Sequence, residues 1–199
     1  MNRDEILAEF EAAEAILKGH FILSSGRHSD TYMQCARVLM EPTRATKLVA
    51  ALVEKAKASI DIEAIDMVVA PAMGGLMVGY EVARQLNKPY IFCERVEGEF
   101  AFRRGFAIDK GAKVLVVEDV VTTGLSSREA FATIEQAGGE VVAELSLVDR
   151  SNGSVDLGIP FIPLLEMEVI SYDAENLPTH LQGSQGVKPG SRALMAVSK

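Results

Sequence analysis

The chain has 199 residues, 48% of them hydrophobic and 24% charged, with a formal net charge of −8. That length and balance fit one domain, residues 1–199, with a core of its own, and no apolar run approaches the roughly 20 residues of a bilayer-spanning helix. The acidic balance disfavours nucleic acid, the acidic amphipathic start points to the cytoplasm rather than to a secretory leader, and the scattered cysteines and histidines support neither a disulfide framework nor a metal held by side chains alone.

Residues 2–18 carry Ile6, Phe10, Ala13 and Leu17 at helical spacing, with Gly19 as a stop. Residues 21–23 read as a short extended piece, and the next eleven, SSGRHSDTYMQ, as a polar loop. Residues 42–59 predict a helix with Pro42 in its first turn and Ala45, Leu48, Val49, Leu52, Val53 and Ala56 along one stripe. Short apolar runs then alternate with helical patterns. Strands are expected at 66–70, 89–92, 113–117 and 141–148, and helices from Gly75 to about Leu86 and over 126–137. This alternation predicts an α/β fold with a mostly parallel sheet covered on both faces. Between them, residues 94–110 mix charges, glycines and exposed-looking phenylalanines, which reads as a β-hairpin or as a flap over a site. The stretch from Gly183 to Arg192 reads as loop.

Three expected strand ends carry unusual residues. Ala72, Met73, Gly74 and Gly75 follow the first, where a glycine turn can bring backbone N–H groups to an anion. In KVLVVEDVVTTGLSS, four apolar residues run into Glu118 and Asp119, and then into Thr122, Thr123, Gly124, Leu125 and Ser126. Hydroxyls and free N–H groups at a helix start suit a phosphate monoester, yet the spacing is neither that of a Walker loop nor GxGxxG. Adjacent carboxylates repel one another and lose solvation when buried, unless hydroxyl donors satisfy them. A 5-phosphoribosyl group offers both vicinal hydroxyls and a phosphate. The third end, Val148-Asp149-Arg150, places an arginine where it can grip a carboxylate or imide in bidentate fashion, or form a surface ion pair.

VLVVEDVVTTG resembles the phosphoribosyl diphosphate (PRPP) motif of the type I phosphoribosyltransferases. Further stretches, GHFILSSGRHSDTYMQ, APAMGG, ERVEGEFAFRRGF, LVDR and the PGSR near the C-terminus, are similar to the orotate branch of that family. The resemblance implies a central, mostly parallel sheet flanked by helices. A small hood, from about residues 1–40 and the C-terminal segment, would cover the site. It also implies roles. Glu118 and Asp119 would bind ribose hydroxyls, residues 122–126 the 5-phosphate, and Ala72, Met73, Gly74 and Gly75 the diphosphate. Arg150 would bind orotate in a pocket lined by Ser25, Gly26, Tyr32, Met33 and Thr122. Arg95, Arg103 and Arg104 would serve the diphosphate, with Arg95 acting catalytically beside Glu118 and Asp119 and reaching from the partner of a homodimer. Mg2+ would arrive with PRPP, through substrate oxygens and water.

The chain departs from the pattern at three places. Ser24 and Gly74 stand where many members carry lysine, and the flap is shorter and offers arginines in place of lysines and a histidine. Alternatives remain at this level: a purine-base phosphoribosyltransferase, or a PRPP-binding regulator without catalysis. Cysteines common in the related branch are absent from 176–188, which leaves a plain surface loop or a lost metal or redox feature.

Overall fold

In the computed structural model, residues 1–23 and 25–188 are described. Ser24, the PGSR stretch and the end of the expected C-terminal loop lie outside them.

The apolar stripe predicted over 42–59 becomes a helix, α3 (Pro42–Lys57), following α1 (Arg3–Ala12), the hairpin β1 (Ile16–Ile22) and β2 (His28–Met33), and the short α2 (Cys35–Leu39). All six stripe residues of α3 are buried, and burying each leucine or valine contributes roughly 1.5–3 kcal/mol. The alternating part follows as β3 (Met67–Pro71), α4 (Gly75–Leu86), β4 (Tyr90–Val96), β5 (Glu99–Ala101), β6 (Lys113–Val121), α5 (Leu125–Gln136), β7 (Glu140–Asp149) and β8 (Phe161–Glu166). Six strands form one sheet in the order β5-β4-β3-β6-β7-β8. Every neighbouring pair is parallel except β4 with β5. β3 is buried at every position, because helices lie on both sides of it. On one face Leu115, Val117, Leu145 and Leu147 pack with α1, α3 and α4; on the other Val114 and Val116 pack with Phe131 and Ile134 of α5. Among the described residues, no helix is long and apolar enough to cross a membrane.

Four expectations need correction. The first helix stops at Ala12, closed by a capping box between Asn2 and Glu5 at its start and by left-handed Glu14 (φ +49°) beyond its end. Leu17 therefore belongs to β1, not to the helical stripe. Residues 28–33 are a strand, not a loop. They pair antiparallel with β1, and this tertiary pairing outweighs the polar composition of HSDTYM. Third, β8 adds a strand over FIPLLE, a stretch to which no element was assigned, and it includes Pro163. The strand lies at the sheet edge, where proline is tolerated. Fourth, Phe100, Phe102 and Phe106 are half-buried rather than exposed, and the last two pack against the α5 side of the core. Residues 94–101 do form a hairpin, β4–β5.

The β1–β2 hairpin is tied to the C-terminal segment. Val187 N–H donates to the His20 carbonyl at 2.8 Å, and Tyr172 N–H to the His28 carbonyl at 2.7 Å. Arg27 adds a bond from Nε to Ser171 Oγ at 2.8 Å and an ion pair with Asp173.

Candidate active site

Strand order reverses between β3 and β6: β4 leads away on one side, β7 and β8 on the other. In open parallel sheets ligands bind at this point, outside the carboxyl ends of the strands. Here the two ends bring together the turn 72–75 and the pair Glu118–Asp119.

β6 runs four residues further than expected, so both acids lie inside the strand. Glu118 is buried, and one of its carboxylate oxygens accepts the Asp119 N–H at 3.2 Å. Asp119 is half-buried, and its Oδ1 accepts the Val120 N–H at 2.9 Å. Burial, then the neighbouring Asp119, pushes the Glu118 carboxyl up to about 9. Burial likewise raises Asp119. The Asp119 side chain rests directly on Gly74. A Cβ there would overlap Oδ1 and stand 2.8 Å from Cγ. Glycine at 74 is what lets the carboxylate rest against the backbone of the turn. The Ala72–Met73 peptide is cis, and Met73 is 80% exposed.

A raised carboxyl has a consequence for stability. An unfolded glutamate titrates near 4.5, whereas folded Glu118 holds its proton to about 9. Between those values the folded chain binds the extra proton, so stability falls as pH rises through the window. Thermal unfolding followed from about pH 5 to about pH 9 is therefore expected to show a declining Tm, and Glu118→Gln is expected to flatten that decline. A variant with an undiminished slope would show that Glu118 does not carry the proton.

The hydroxyl run folds into a cradle at the start of α5. Residues 120–127 and Glu118 enclose a cavity of about 170 Å3. Thr122, Thr123, Leu125 and Ser126 are exposed around it. Gly124, in the left-handed region at φ +72°, turns the chain into the helix, and a Cβ there would meet Leu157 at 2.7 Å. Arg128, which the sequence reading did not single out, braces the loop from outside. Its guanidinium donates to the Thr123 carbonyl at 2.9 Å and the Asp156 carbonyl at 2.6 Å. Its position in the first turn of the helix was the available signal.

Arg150 follows β7, its N–H bonded to the Val121 carbonyl at 2.8 Å. Its Nε is buried without a partner among the described residues, and burial lowers the guanidinium from arginine's usual value while Tyr32 and Cys35 act the other way. Tyr32 is thus brought to the site, its hydroxyl donating to Gln34 Oε1 at 2.9 Å. Met33 is not: successive strand residues face opposite ways, and its side chain packs in the core. Cys35 is a second residue that the sequence reading left as structural. It is fully buried, and its thiol points at the Asp119 carbonyl at 3.8 Å. Ser25 and Gly26 occupy the exposed β1–β2 turn, where Gly26 N–H donates to the Leu23 carbonyl at 2.9 Å.

The flap arginines are engaged within the chain. Arg95 pairs with Glu129 of α5 and lies 4.2 Å over the Phe100 ring, while Arg103 and Arg104 both face Glu94. The structure therefore gathers residues 72–75, the two acids, the cradle, Tyr32 and Arg150, but not these three side chains.

Residues 42–170 match the family described as phosphoribosyl transferase domain. The chain is 59% identical to the orotate phosphoribosyltransferase of Sphingopyxis alaskensis over 98% of its length and 100% of the relative's. The crystal structure of orotate phosphoribosyltransferase from Aeropyrum pernix superposes with a TM-score of 0.69 at 28% identity, over 81% of this chain and 93% of that one. Adenine phosphoribosyltransferase from Thermoanaerobacter pseudethanolicus, at 17% identity and a TM-score of 0.56 over 69% and 88%, shares the fold alone. With its two acids and hydroxyl cradle at the reversal of strand order, and with near-complete coverage by such a relative, the chain belongs to the orotate phosphoribosyltransferase family.

Proposed function

We propose that this site transfers the 5-phosphoribosyl group of PRPP to a ring nitrogen of orotate, giving orotidine 5'-monophosphate and diphosphate, a step of pyrimidine synthesis in the cytoplasm. One observation carries the reading: buried Glu118, Asp119 and the hydroxyl cradle lie along one strand end, with the unpartnered Arg150 Nε beside them.

The cradle N–H groups and the hydroxyls of Thr122, Thr123 and Ser126 seat the 5-phosphate at the helix start. Glu118 and Asp119 accept the ribose hydroxyls and hold the sugar in place. The bond from the anomeric carbon to diphosphate breaks with its electron pair leaving on the diphosphate, and positive charge develops on the sugar. Ionised Asp119 stabilises that charge. Arg150 grips the orotate carboxylate and directs the ring nitrogen, whose N–H proton is given up to solvent, to the anomeric carbon, so no protein nucleophile is needed. The hairpin bound to residues 170–187 acts as the hood that limits water. The Asp119 carboxylate, bonded among the described residues to the Val120 N–H, has a free oxygen for a hard cation arriving on substrate oxygens. Mg2+ held there would neutralise the departing diphosphate.

A second copy of the chain is part of this reading. Met73, Met77 and Tyr80 are 80%, 49% and 59% exposed along the outer side of α4 and the turn before it. Such an apolar stripe beside the site suits an interface, from which the flap of the partner would supply its arginines.

Ultraviolet absorbance of orotate mixed with the protein, PRPP and Mg2+ tests the proposal, with adenine, hypoxanthine and xanthine alongside. Loss of the orotate band, dependent on Mg2+, is expected. Turnover of a purine instead would overturn the base assignment, and silence with every base would remove the transferase reading.

A further inference from the structure

Beneath the cradle lies a polar pair that the mechanism does not use. Ser127, the third residue of α5, is 2% exposed and donates from Oγ to Glu144 Oε1 at 2.9 Å. Glu144 is completely buried in β7, paired in register with Val116 of β6 and with Phe161 of β8. One pleat further along β7, Ser146 is in register with Glu118. Glu144 Oε2 and Ser146 Oγ have no hydrogen-bond partner among the described residues. The surroundings on this face are apolar, with Val116, Phe131 and Ile134 close to the same helix and strands.

Packing alone does not account for this arrangement. A buried carboxyl with one bonded oxygen is costly, and an apolar side chain of similar volume is often neutral or stabilising in its place. Rules of core packing are most often broken where a site needs a fixed geometry. Glu144 spans two elements. It is anchored in the middle of the sheet and holds the first turn of the helix whose start is the phosphate cradle. Arg128 braces the same turn from the solvent side. The two ligand-facing parts, Glu118 within β6 and the cradle, are thus set at a fixed separation by β7.

We propose that Glu144 is a positioning residue: acting through Ser127, it holds the start of α5 at the height at which the cradle and Glu118 engage one phosphoribosyl group together. This rests on the PRPP reading of the cradle. It makes the Glu144–Ser127 bond matter for PRPP and not for orotate, which the proposed reading assigns to Arg150 and Tyr32, on other elements than α5.

The test is steady-state kinetics on Ser127→Ala, Glu144→Val, their double variant and Glu144→Gln, with Tm measured on each. Ser127→Ala and Glu144→Val are expected to raise the PRPP KM about tenfold, the worth of one buried hydrogen bond, and to leave the orotate KM within about twofold. The double variant is expected to match the single ones, since both break the same link. Glu144→Gln keeps an acceptor for Ser127 and is expected to stay within about twofold of the parent. A merely structural role would lower Tm and the active fraction with both KM values unchanged. That pattern, or additive effects in the double variant, would overturn the proposal. If Glu144→Val does not fold, Ser127→Ala decides alone: an unchanged PRPP KM removes the positioning role. Absence of PRPP turnover in the parent would instead remove the reading of the cradle, and the proposal with it.

Discussion

Asp119→Asn lowers kcat/KM for PRPP about 1000-fold while the protein remains folded. The side chain lies flat on Gly74 with Oδ1 bonded to the Val120 N–H, and asparagine of the same shape preserves both contacts. What changes is charge and polarity. One acceptor oxygen becomes a donor facing the sugar hydroxyls, and the negative charge opposite the developing cation is lost. Each effect acts in a half-buried site, where electrostatic interactions are screened less than in water. Burial already holds the Asp119 carboxyl above its usual range, so a neutral amide relieves a desolvation cost. The Tm of the variant is therefore expected to equal or exceed that of the parent. Kinetics and thermal unfolding together check the prediction. Undiminished PRPP turnover would remove Asp119 from the reaction, and a fall in Tm would show that the loss of activity is one of folding.

Arg150→Ala gives the second large effect, and its signature lies in which substrate suffers. The Arg150 Nε is buried and has no hydrogen-bond partner among the described residues. A planar guanidinium holds a carboxylate through two parallel bonds, which neither Tyr32 nor Cys35 can reproduce. Removing one partner of a desolvated ion pair costs several kcal/mol, so the orotate KM is expected to rise roughly 100-fold or more. The PRPP KM is expected to change by less than about threefold, because the cradle and the two acids stand on β6 and α5 and not on β7. Equal increases in both constants would place Arg150 in general stability rather than in base recognition.

Much of this was legible before the structure. α3 announced itself through an apolar stripe at helical spacing, and β3, β4, β6 and β7, with α4 and α5 between them, through the alternation of short apolar runs with helical segments. EDVVTTG gave the site, because two acids after an apolar run have no packing rationale. Other parts were hidden for definite reasons. The segment HSDTYM is polar enough to read as loop, and only its partner β1 makes it a strand. Without that strand, the alternation that sends Tyr32 toward Arg150 and Met33 into the core was invisible. Glu144 and Ser146 were hidden in the opposite sense. In AELSLVD, polar residues alternate with apolar ones, the usual mark of a strand with one wet face. In the middle of a parallel sheet both faces are covered, so the same alternation buries them. The flap arginines were legible as charge but not as geometry, since Glu94 and Glu129 engage them from positions that spacing does not reveal.

The contact between Gly74 and Asp119 also constrains the routes by which such a protein can change. A side chain at position 74 would displace the Asp119 carboxylate from where it rests. A larger residue at 74 therefore requires the Asp119 carboxylate to rotate away, so the two positions are coupled. Substitution at 74 is thus felt at the carboxylate that faces the ribose, even though residue 74 belongs to a different loop.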